Sequence, residues 1–503
     1  MGGANLNVVT VAGSTLHIDE LLDVANGAKV ELSSTAVESL QSSRTVVDRA
    51  LSSGRPVYGL NTGLGHMSNV RLPDEQLLPF QEMMLAAHAG GFGRDLPTTI
   101  VRAAMMARVN GMARGGSGVS PAAVDSLVGM LNAGVHPVVP TLGSVGAGDL
   151  AQLAHVALVA IGKGRAEYDG IVVEGEEALR RAGIPPLVLA PKDALSLMSA
   201  NAVSIGHGAF VVTRAAEVAE LADLAAAVSL ESIGGNPSIV HAFVAASKPV
   251  PGQAETSRHI RALTEGSYLY DPDGPESIQD ALSFRVVPQV HGAVREFIAL
   301  TRNSVEIELN SRSDNPLVFE AQDTMIHNGN FHPMMMALAF DALRPALAHI
   351  GQLSERRMSH LWDAVFADPD FAPEGPDGAP RDFFGLALRY SAAQVFAQLK
   401  QLASPATLDC PPLDIGVEDH ATSAPSSVAR TEDALDLLAD ILAIEILMAR
   451  DLLHLSRSAR RLGAGTRSAL GVIDRALGDL PTSRSAADAH AALRQVLAGT
   501  SLG

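Results

Sequence analysis

The feature that most limits how this chain can fold is a long apolar segment near its C-terminus, TEDALDLLADILAIEILMARDLLHLSRSARRL, residues 431–462. Apolar side chains recur along it at helical spacing and form one stripe, made by Leu437, Ile441, Ile444, Met448 and Leu452. Most of its other faces are apolar too, and a helix that is apolar all round must be buried. We therefore predict that this helix lies inside a helix bundle or an oligomer.

Similar long helical patterns begin at about residue 191, whereas residues 1–190 alternate short apolar segments with glycine-rich turns. Hydrophobic residues make up 47% of the chain but aromatic ones only 4%, so the core must be built from Leu, Ala, Val and Met. That composition favours helices over sheets. We predict an all-α fold, with a globular N-terminal domain over 1–190 and a helix bundle over 191–503. The polar segment 366–381 is predicted to be a mobile surface loop.

Charge and cysteine content exclude several classes of partner. The net charge is −18 and no basic patch is evident, so nucleic acid and anionic membranes are not expected as partners. A single cysteine, Cys410, cannot form an internal disulfide, which indicates a reducing cytoplasm. The N-terminal residues lack the pattern of a secretory signal, and no uninterrupted apolar stretch reaches about 18 residues, so no membrane span is expected.

A glycine-built loop precedes one apolar helix in TLGSVGAGDLAQLAH, residues 141–155. Glycines placed like this allow a tight turn or the close approach of a ligand. Asp149 is predicted to cap the helix that follows, and free N–H groups at a helix start favour negative charge. The loop offers no nucleophilic side chain between Ala147 and Asp149.

Three further side chains are candidates for chemistry, and each also has a purely structural interpretation. Tyr58, in VYGLNTGLGH, is either a structural anchor or a base, and the second role requires neighbours that lower a phenol pKa of about 10. His88 ends an apolar helix before a glycine-rich turn, where a histidine can simply cap the helix. Arg285, in QDALSFRVVPQVHG, either forms a salt bridge or binds a carboxylate with its planar guanidinium.

The loop 408–427 is a further site candidate, because Glu418, Asp419 and His420 place three titratable groups together in VEDHATS. A helix cap is an equally good explanation of these residues. Elsewhere, the histidines do not have the spacing of a metal site; those considered are His155, His207, His291, His327 and His332. We predict no metal site and, because no phosphate-binding glycine motif follows a strand, no nucleotide.

The order of several motifs along the chain resembles the histidine and phenylalanine ammonia-lyase family. The motifs are YGLNTGLG, SGVSPAAVDSLVGMLNAGVHPVVPTLGSVGAGDLAQLAHVALVAIGKG, QDALSFRVVPQVHGA, SDNPLVF, GNFH and EDH, and the resemblance covers residues 58–453. FQEMMLAAHAGG is most similar to the histidine-type branch, which has a histidine at the position of His88. The resemblance implies an all-α homotetramer whose active sites are assembled from three subunits. It also implies loss of an amine from a small α-amino acid substrate to give a trans-acrylate.

The resemblance also implies a set of site residues. Tyr58 and Glu418 would be catalytic, and the substrate-binding residues would be His88, Ser199, Asn201, Gln279, Arg285 and Phe331. Some positions depart from the family pattern. Ser199 stands where the family usually has an asparagine, with Asn201 two places later, while Leu282 replaces a tyrosine and Val417 a glutamine.

The most consequential departure concerns the prosthetic group of the family. Members activate the amine with methylidene-imidazolone, an electrophile made from an Ala-Ser-Gly tripeptide whose serine supplies the methylidene carbon. Here the prosthetic-group position reads Ala147-Gly148, directly before Asp149, and the serine is missing.

Three hypotheses follow. The first is a conventional lyase of histidine or another aromatic amino acid. The second is an electrophile-free lyase that acts on a trimethylammonium betaine, such as an ergothioneine-like substrate. The third is a non-catalytic binding protein on the same fold.

Overall fold

The structure is a computed structural model and describes residues 7–367, 383–455, 460–481 and 484–499. Most of the segment 366–381, predicted to be a loop, lies outside the described residues. The chain is mainly helical, as predicted, and its few strands are short. In chain order the helices are α1 Ile18–Ala25, α2 Ser34–Ser53, α3 Leu77–His88, α4 Thr98–Ala113, α5 Pro121–Ala133, α6 Leu150–Ala160, α7 Gly175–Ala182, α8 Asp193–Met198, α9 Ala202–Ser232, α10 Ala242–Ser247, α11 Pro251–Leu263, α12 Leu282–Arg285, α13 Val287–Leu309, α14 Met334–Ala367, α15 Phe384–Ala387, α16 Arg389–Leu402, α17 Ala424–Leu455, α18 Ala464–Gly478 and α19 Ala486–Gly499.

Within the residues that the structure describes, the strands form four small sheets. They are β1 Val8–Val11, β2 Lys29–Leu32, β3 Phe92–Asp95, β4 His136–Pro137, β5 Pro140–Leu142, β6 Arg165–Tyr168, β7 Ile171–Glu174, β8 Leu317–Phe319 and β9 Thr324–Ile326. β1 and β2 pair in parallel, with Val8 opposite Lys29. The other pairs, β3–β5, β4–β6, β6–β7 and β8–β9, are antiparallel. None of these sheets is large enough to organise the core, which is helical.

The chain forms two compact units, each built from three segments. The first comprises Met1–Val211, Thr301–Phe340 and Ala406–Ala429. The second comprises Val212–Leu300, Asp341–Pro405 and Arg430–Gly503. The boundaries fall within α9, α13, α14 and α17 or in the loop after α16. A domain division at residue 190 stays a prediction.

Local sequence explains where individual helices begin and end. The Ser120 hydroxyl accepts the N–H of Ala123 at 3.3 Å at the start of α5, and Pro121 occupies the first helical position. Gly134 ends the same helix with φ 77°, a left-handed conformation that glycine adopts at little cost.

The apolar segment of α17 is buried, as its sequence pattern predicts. Every residue from Ile441 to Ala449 is buried within the single chain. Of the two alternatives, a helix bundle and an oligomer, the helix bundle is enough to account for this burial, because the chain itself covers this part of the helix. The stretch 193–232 is long and apolar enough by composition to span a membrane, but most of it is buried, as in a core helix.

Candidate active site

Tyr58 lies in a tight turn after α2 and is half-buried in the first unit. Its phenolic oxygen accepts the backbone N–H of Gly65 at 3.2 Å. The ring makes an edge-to-face contact with His327, with 6.0 Å between the ring centroids. The phenol is therefore held from two directions while part of it stays accessible.

The surroundings of Tyr58 oppose its ionisation. Burial raises the pKa of the phenol above its ordinary value of 10.0, and the carboxylates of Glu418 and Asp414 raise it further. Only the N–H bond from Gly65 acts in the opposite direction. In the free chain Tyr58 is thus a neutral phenol at physiological pH, and a nearby positive charge would favour the phenolate.

Asp414 contacts the backbone of His66, next to Gly65, whose N–H donates to the Tyr58 oxygen. Its Oδ2 accepts the backbone N–H of His66 at 2.9 Å, and its Oδ1 lies 2.5 Å from Nδ1 of the His66 ring. The bond from the His66 ring holds the pKa of the Asp414 carboxyl below its ordinary value. A Cβ atom built on Gly65 would lie 1.8 Å from Asp414 Oδ2, so only glycine fits there.

The segment that carries Asp414 and Glu418 is a tight loop, with Leu413 and Glu418 paired by backbone hydrogen bonds of 2.8 and 3.2 Å. Asp414, Ile415 and Gly416 all have positive φ, at 46°, 57° and 83°. Positive φ is unfavourable for a β-branched residue such as isoleucine, so the contacts of the loop must hold this conformation.

Three backbone N–H groups of the glycine-rich loop already have partners within the chain. The N–H of Gly148 donates to Oδ1 of Asn201 at 3.1 Å, and that of Asp149 donates to the carbonyl of Ala200 at 2.7 Å. Gly146 donates to the hydroxyl of Ser144 at 3.1 Å. The described contacts therefore tie the loop to the residues just before α9.

Asp149 is not a side-chain cap of α6, contrary to the prediction. Its carboxyl is fully buried and accepts the hydroxyl of Ser144 at 2.8 Å and both the N–H and the hydroxyl of Ser204 at 2.8 and 3.1 Å. Burial raises the pKa of this carboxyl, although the bonds from Ser204 and Ser144 oppose the rise. Asp149 joins the loop to α9 because its side chain points away from the first turn of α6.

The other edge of the glycine-rich loop is closed by residues 422–424. The Thr422 hydroxyl donates to the carbonyl of Gly146 at 2.9 Å, and the N–H of Ser423 donates to the carbonyl of Val145 at 2.8 Å. A Cβ atom on Gly146 would lie 2.2 Å from the Thr422 hydroxyl oxygen. Glycine is therefore required at this close approach of two chain segments.

Asn201 also connects the loop to Phe331, because its Nδ2 donates to the Phe331 carbonyl at 2.5 Å. Next along the chain, Nε2 of His332 lies 2.8 Å from Nδ1 of His420, a distance at which one ring can donate a hydrogen bond to the other. Asn201 therefore bonds to Gly148 at the prosthetic-group position, although it stands two residues after the position where the family usually has an asparagine. Ser199, two residues earlier, is buried at the C-terminal end of α8.

The predicted site residues that remain are His88, Gln279 and Arg285, and they belong to other parts of the fold. Nδ1 of His88 bonds to the Met84 carbonyl at 2.8 Å at the end of α3, which fits the structural interpretation of this histidine. Gln279 and Arg285 belong to the second unit. Among the described residues, no hydrogen bond or ion pair engages the side chain of Arg285, which is half-buried.

Sequence reasoning missed His66 and Thr422, and it considered His327 only as a metal ligand. His66 meets Asp414 across 348 positions of sequence, and no local pattern signals such a contact. In the part of the chain that the structure describes, no group of three or more His, Cys, Asp or Glu side chains is placed to hold a metal ion.

Known proteins resemble this chain over almost its whole length. A family model for aromatic amino acid lyases matches residues 16–475. Histidine ammonia-lyase of Gloeobacter violaceus is 39% identical over 477 residues, covering 94% of this chain and 92% of the relative. That of Caldanaerobacter subterraneus is 38% identical over 464 residues, covering 91% and 90%.

Solved structures give the same result. The ergothioneine-degrading enzyme Ergothionase of Treponema denticola, in complex with desmethyl-ergothioneine sulfonic acid, matches with a TM-score of 0.91 and 27% identity, covering 98% of this chain and 99% of that one. Histidine ammonia-lyase of Trypanosoma cruzi matches with a TM-score of 0.85 and 28% identity, covering 98% and 93%. The chain therefore belongs to the aromatic amino acid lyase family of carbon–nitrogen lyases.

Proposed function

We propose that this enzyme eliminates trimethylamine from a trimethylammonium betaine of histidine type, such as ergothioneine, to give a trans-acrylate. The observation that carries the proposal is the direct junction of Ala147 and Gly148 in a chain that keeps Tyr58 and Glu418. Loss of the electrophile together with retention of the base indicates a changed substrate rather than a lost reaction.

The residues at the prosthetic-group position do not fit methylidene-imidazolone, which the family normally makes from Ala-Ser-Gly. No serine stands between Ala147 and Gly148 to supply the methylidene carbon. In addition, the Gly148 nitrogen, which would have to close the ring, donates its proton to Asn201. We therefore assign no step of the reaction to this group.

A substrate that carries a quaternary amine does not need the electrophile. The ammonium group of a free amino acid can lose a proton and become an amine that does not leave, whereas a trimethylammonium group has no proton to lose and always leaves as neutral trimethylamine. Tyr58, as phenolate, takes a proton from the carbon next to the one that bears nitrogen. The electron pair of that C–H bond forms the new double bond, and the pair of the C–N bond leaves with the amine.

The charge around Tyr58 supports a cationic substrate. Glu418 and Asp414 both disfavour the phenolate in the free chain. A permanent cation beside these carboxylates would offset their charge and lower the pKa of the phenol. Binding of the betaine would thus help to ionise the base that attacks it, with Glu418 balancing the cationic head.

We assign roles to the other predicted site residues from the matching positions of the family. Arg285 would bind the substrate carboxylate with its planar guanidinium. His88 and Gln279 would contact the polar part of the substrate, and Phe331 would pack on its ring. Ser199 and Asn201 would line the pocket beside the Ala147–Gly148 junction.

A second candidate substrate is free histidine. The relatives found by sequence at 38–39% identity are histidine ammonia-lyases, which favours this candidate. The missing serine stands against this candidate, since the histidine reaction would have to proceed without electrophilic activation.

We also propose that the enzyme is a cytoplasmic homotetramer with sites shared among subunits. Phe297, Leu300 and Ile307 on α13, and Met335 and Leu338 on α14, are large apolar side chains that the single chain leaves partly or largely exposed. Such apolar rows on helices are typical of interfaces.

The experiment that tests the proposed function joins a mass measurement to an activity assay on the same protein. We expect the intact mass to equal that of the sequence with no loss of water, and the protein to release trimethylamine from the betaine. A protein with this mass that releases ammonia from free histidine would overturn the proposal. A mass that shows an additional serine and the loss of two waters would restore the conventional enzyme.

A further inference from the structure

We propose that His66 and Asp414 form a positioning pair that holds the Gly65 N–H against Tyr58 and sets the charge beside that base. The inference rests on the proposed function, because it deepens the role of Tyr58. The pair belongs to neither the predicted catalytic residues nor the predicted substrate-binding residues, and all four residues lie in the first unit.

The first step of the argument is geometric. Asp414 binds His66 twice, through the backbone N–H at 2.9 Å and the ring Nδ1 at 2.5 Å. The residue before His66 is Gly65, whose own N–H donates to the Tyr58 oxygen at 3.2 Å. Fixing the backbone at His66 therefore fixes the direction of the bond that Tyr58 accepts.

The second step is the fit between the two loops. Asp414 Oδ2 occupies the space where a Cβ atom of residue 65 would lie. The short helical turn Gly65–Met67 and the turn Asp414–Gly416 can approach this closely only because residue 65 is glycine. A movement of Asp414 would consequently move the Gly65 N–H that donates to the Tyr58 oxygen.

The third step is backbone strain. Asp414 and Ile415 adopt positive φ although neither is glycine, and the Ile415 side chain is 85% exposed, so core packing does not impose its conformation. Unfavourable backbone persists where surrounding contacts determine it and is common at functional sites. The two bonds from His66 are contacts of this kind.

The fourth step is charge. The titratable groups around the phenol include Asp414 and Glu418, which act on it through their charge, His327 against its ring, and His66 paired with Asp414. The bonds from His66 favour the charged form of Asp414, and that charge acts on Tyr58. The His66–Asp414 pair thus influences both the position and the ionisation of the Tyr58 phenol.

Two substitutions at Asp414 separate position from charge. Asp414→Asn keeps an oxygen for the backbone N–H and gains an amide N–H that can donate to the His66 ring, so it preserves the contact and removes the charge. Asp414→Ala removes both. Asp409→Asn, an exposed carboxylate of the same loop, is the matched control.

With the betaine as substrate, we expect Asp414→Ala to lower kcat by about 100-fold with little change in KM, because a displaced base loses its alignment. Asp414→Asn should recover most of this loss and shift the rising limb of the pH profile to lower pH. Asp409→Asn should match the wild type. Equal kcat in Asp414→Ala and wild type, or equal losses in both Asp414 variants, would overturn the proposal.

A second measurement works without any substrate and so separates this proposal from the proposed function. The chain has 5 tyrosines, and labelling their Cζ carbons with ¹³C allows Tyr58 to be titrated by NMR, with Tyr58→Phe identifying its signal. We expect Asp414→Asn to lower the Tyr58 pKa and Asp409→Asn to leave it in place. An unchanged pKa in Asp414→Asn would refute the charge effect even in a protein that proved inactive on the betaine.

Discussion

The phenol of Tyr58 accepts the backbone N–H of Gly65 at 3.2 Å while two carboxylates, Glu418 and Asp414, act against its ionisation. This combination is unfavourable for a base in an empty site. It becomes favourable when a cationic substrate enters, because the carboxylates then neutralise the substrate instead of opposing the phenolate. The arrangement of charges therefore connects the proposed base to the proposed substrate class.

If Tyr58 is the base, kcat/KM should rise with pH, because the active form of Tyr58 is the phenolate. The pKa of this phenol in the free chain lies above 10.0, so the rising limb of the profile lies at high pH. Glu418→Gln removes a charge that raises this pKa, so the limb should move to lower pH. Glu82→Gln, which alters an exposed glutamate paired with Lys163, is the control. An unshifted limb in Glu418→Gln would contradict the electrostatic account, and full activity of Tyr58→Phe would remove Tyr58 as the base.

Arg285 should bind the substrate carboxylate. Arg285→Lys keeps the positive charge but loses the planar guanidinium, which can bind a carboxylate through two N–H groups at once. We therefore expect binding of the betaine or a carboxylate analogue to weaken by about 1–3 kcal/mol. Calorimetric titration measures this change. Arg258→Lys, in an exposed arginine paired with Glu255, should leave affinity unchanged. Wild-type affinity in Arg285→Lys would count against the assignment.

Asp223 should make stability depend on pH at the acidic end. Burial alone would raise the pKa of its carboxyl, but hydrogen bonds from His259 and His291 and the charge of Arg295 lower it to about 2. A depressed carboxyl pKa contributes stability that is present above the unfolded value, near pH 4, and is lost as pH falls through the folded value.

We therefore expect Asp223→Asn to lower the free energy of unfolding by about 2 kcal/mol at pH 7, with the difference shrinking below about pH 4. Urea unfolding at several pH values measures this dependence. Asp271→Asn, in an exposed carboxylate paired with Arg461, should change little. A difference between Asp223→Asn and wild type that stayed constant down to the acid transition would show that the charge of Asp223 is not its source.

The exposed apolar residues of α13 should be covered in solution by other copies of the chain. We expect solution scattering to give the mass of a tetramer. Leu300→Glu should weaken the assembly, since it places a charge in the apolar row, whereas Val188→Glu, at a position that is 86% exposed and outside this row, should not. A monodisperse wild-type monomer would remove both the tetramer and the shared site.

Sequence predicted the fold well because the signal for it is local. The apolar periodicity of α17 gives a helix and its burial directly, and residues 441–449 are buried as expected. The same pattern could not show what covers the helix. Burial by the same chain and burial by a partner subunit require the same apolar surface.

The site was predicted only in part, because its contacts join distant segments. Motifs predicted Tyr58 and the glycine-rich loop as site candidates, but the pairing of His66 with Asp414 depends on how two loops meet. Asp149 illustrates the same limit. A carboxylate before a helix predicts a cap, yet in this fold Ser144 and Ser204 offer it buried donors instead.

The central claim is that activation resides in the substrate and not in a prosthetic group. It is tested most directly with histidine and its Nα-mono-, di- and trimethylated forms, by measuring the amine released from each. The four compounds share one side chain and one carboxylate, so that only the leaving group changes. The account predicts release of trimethylamine from the trimethyl compound and no turnover of free histidine. Release of ammonia from free histidine would contradict it.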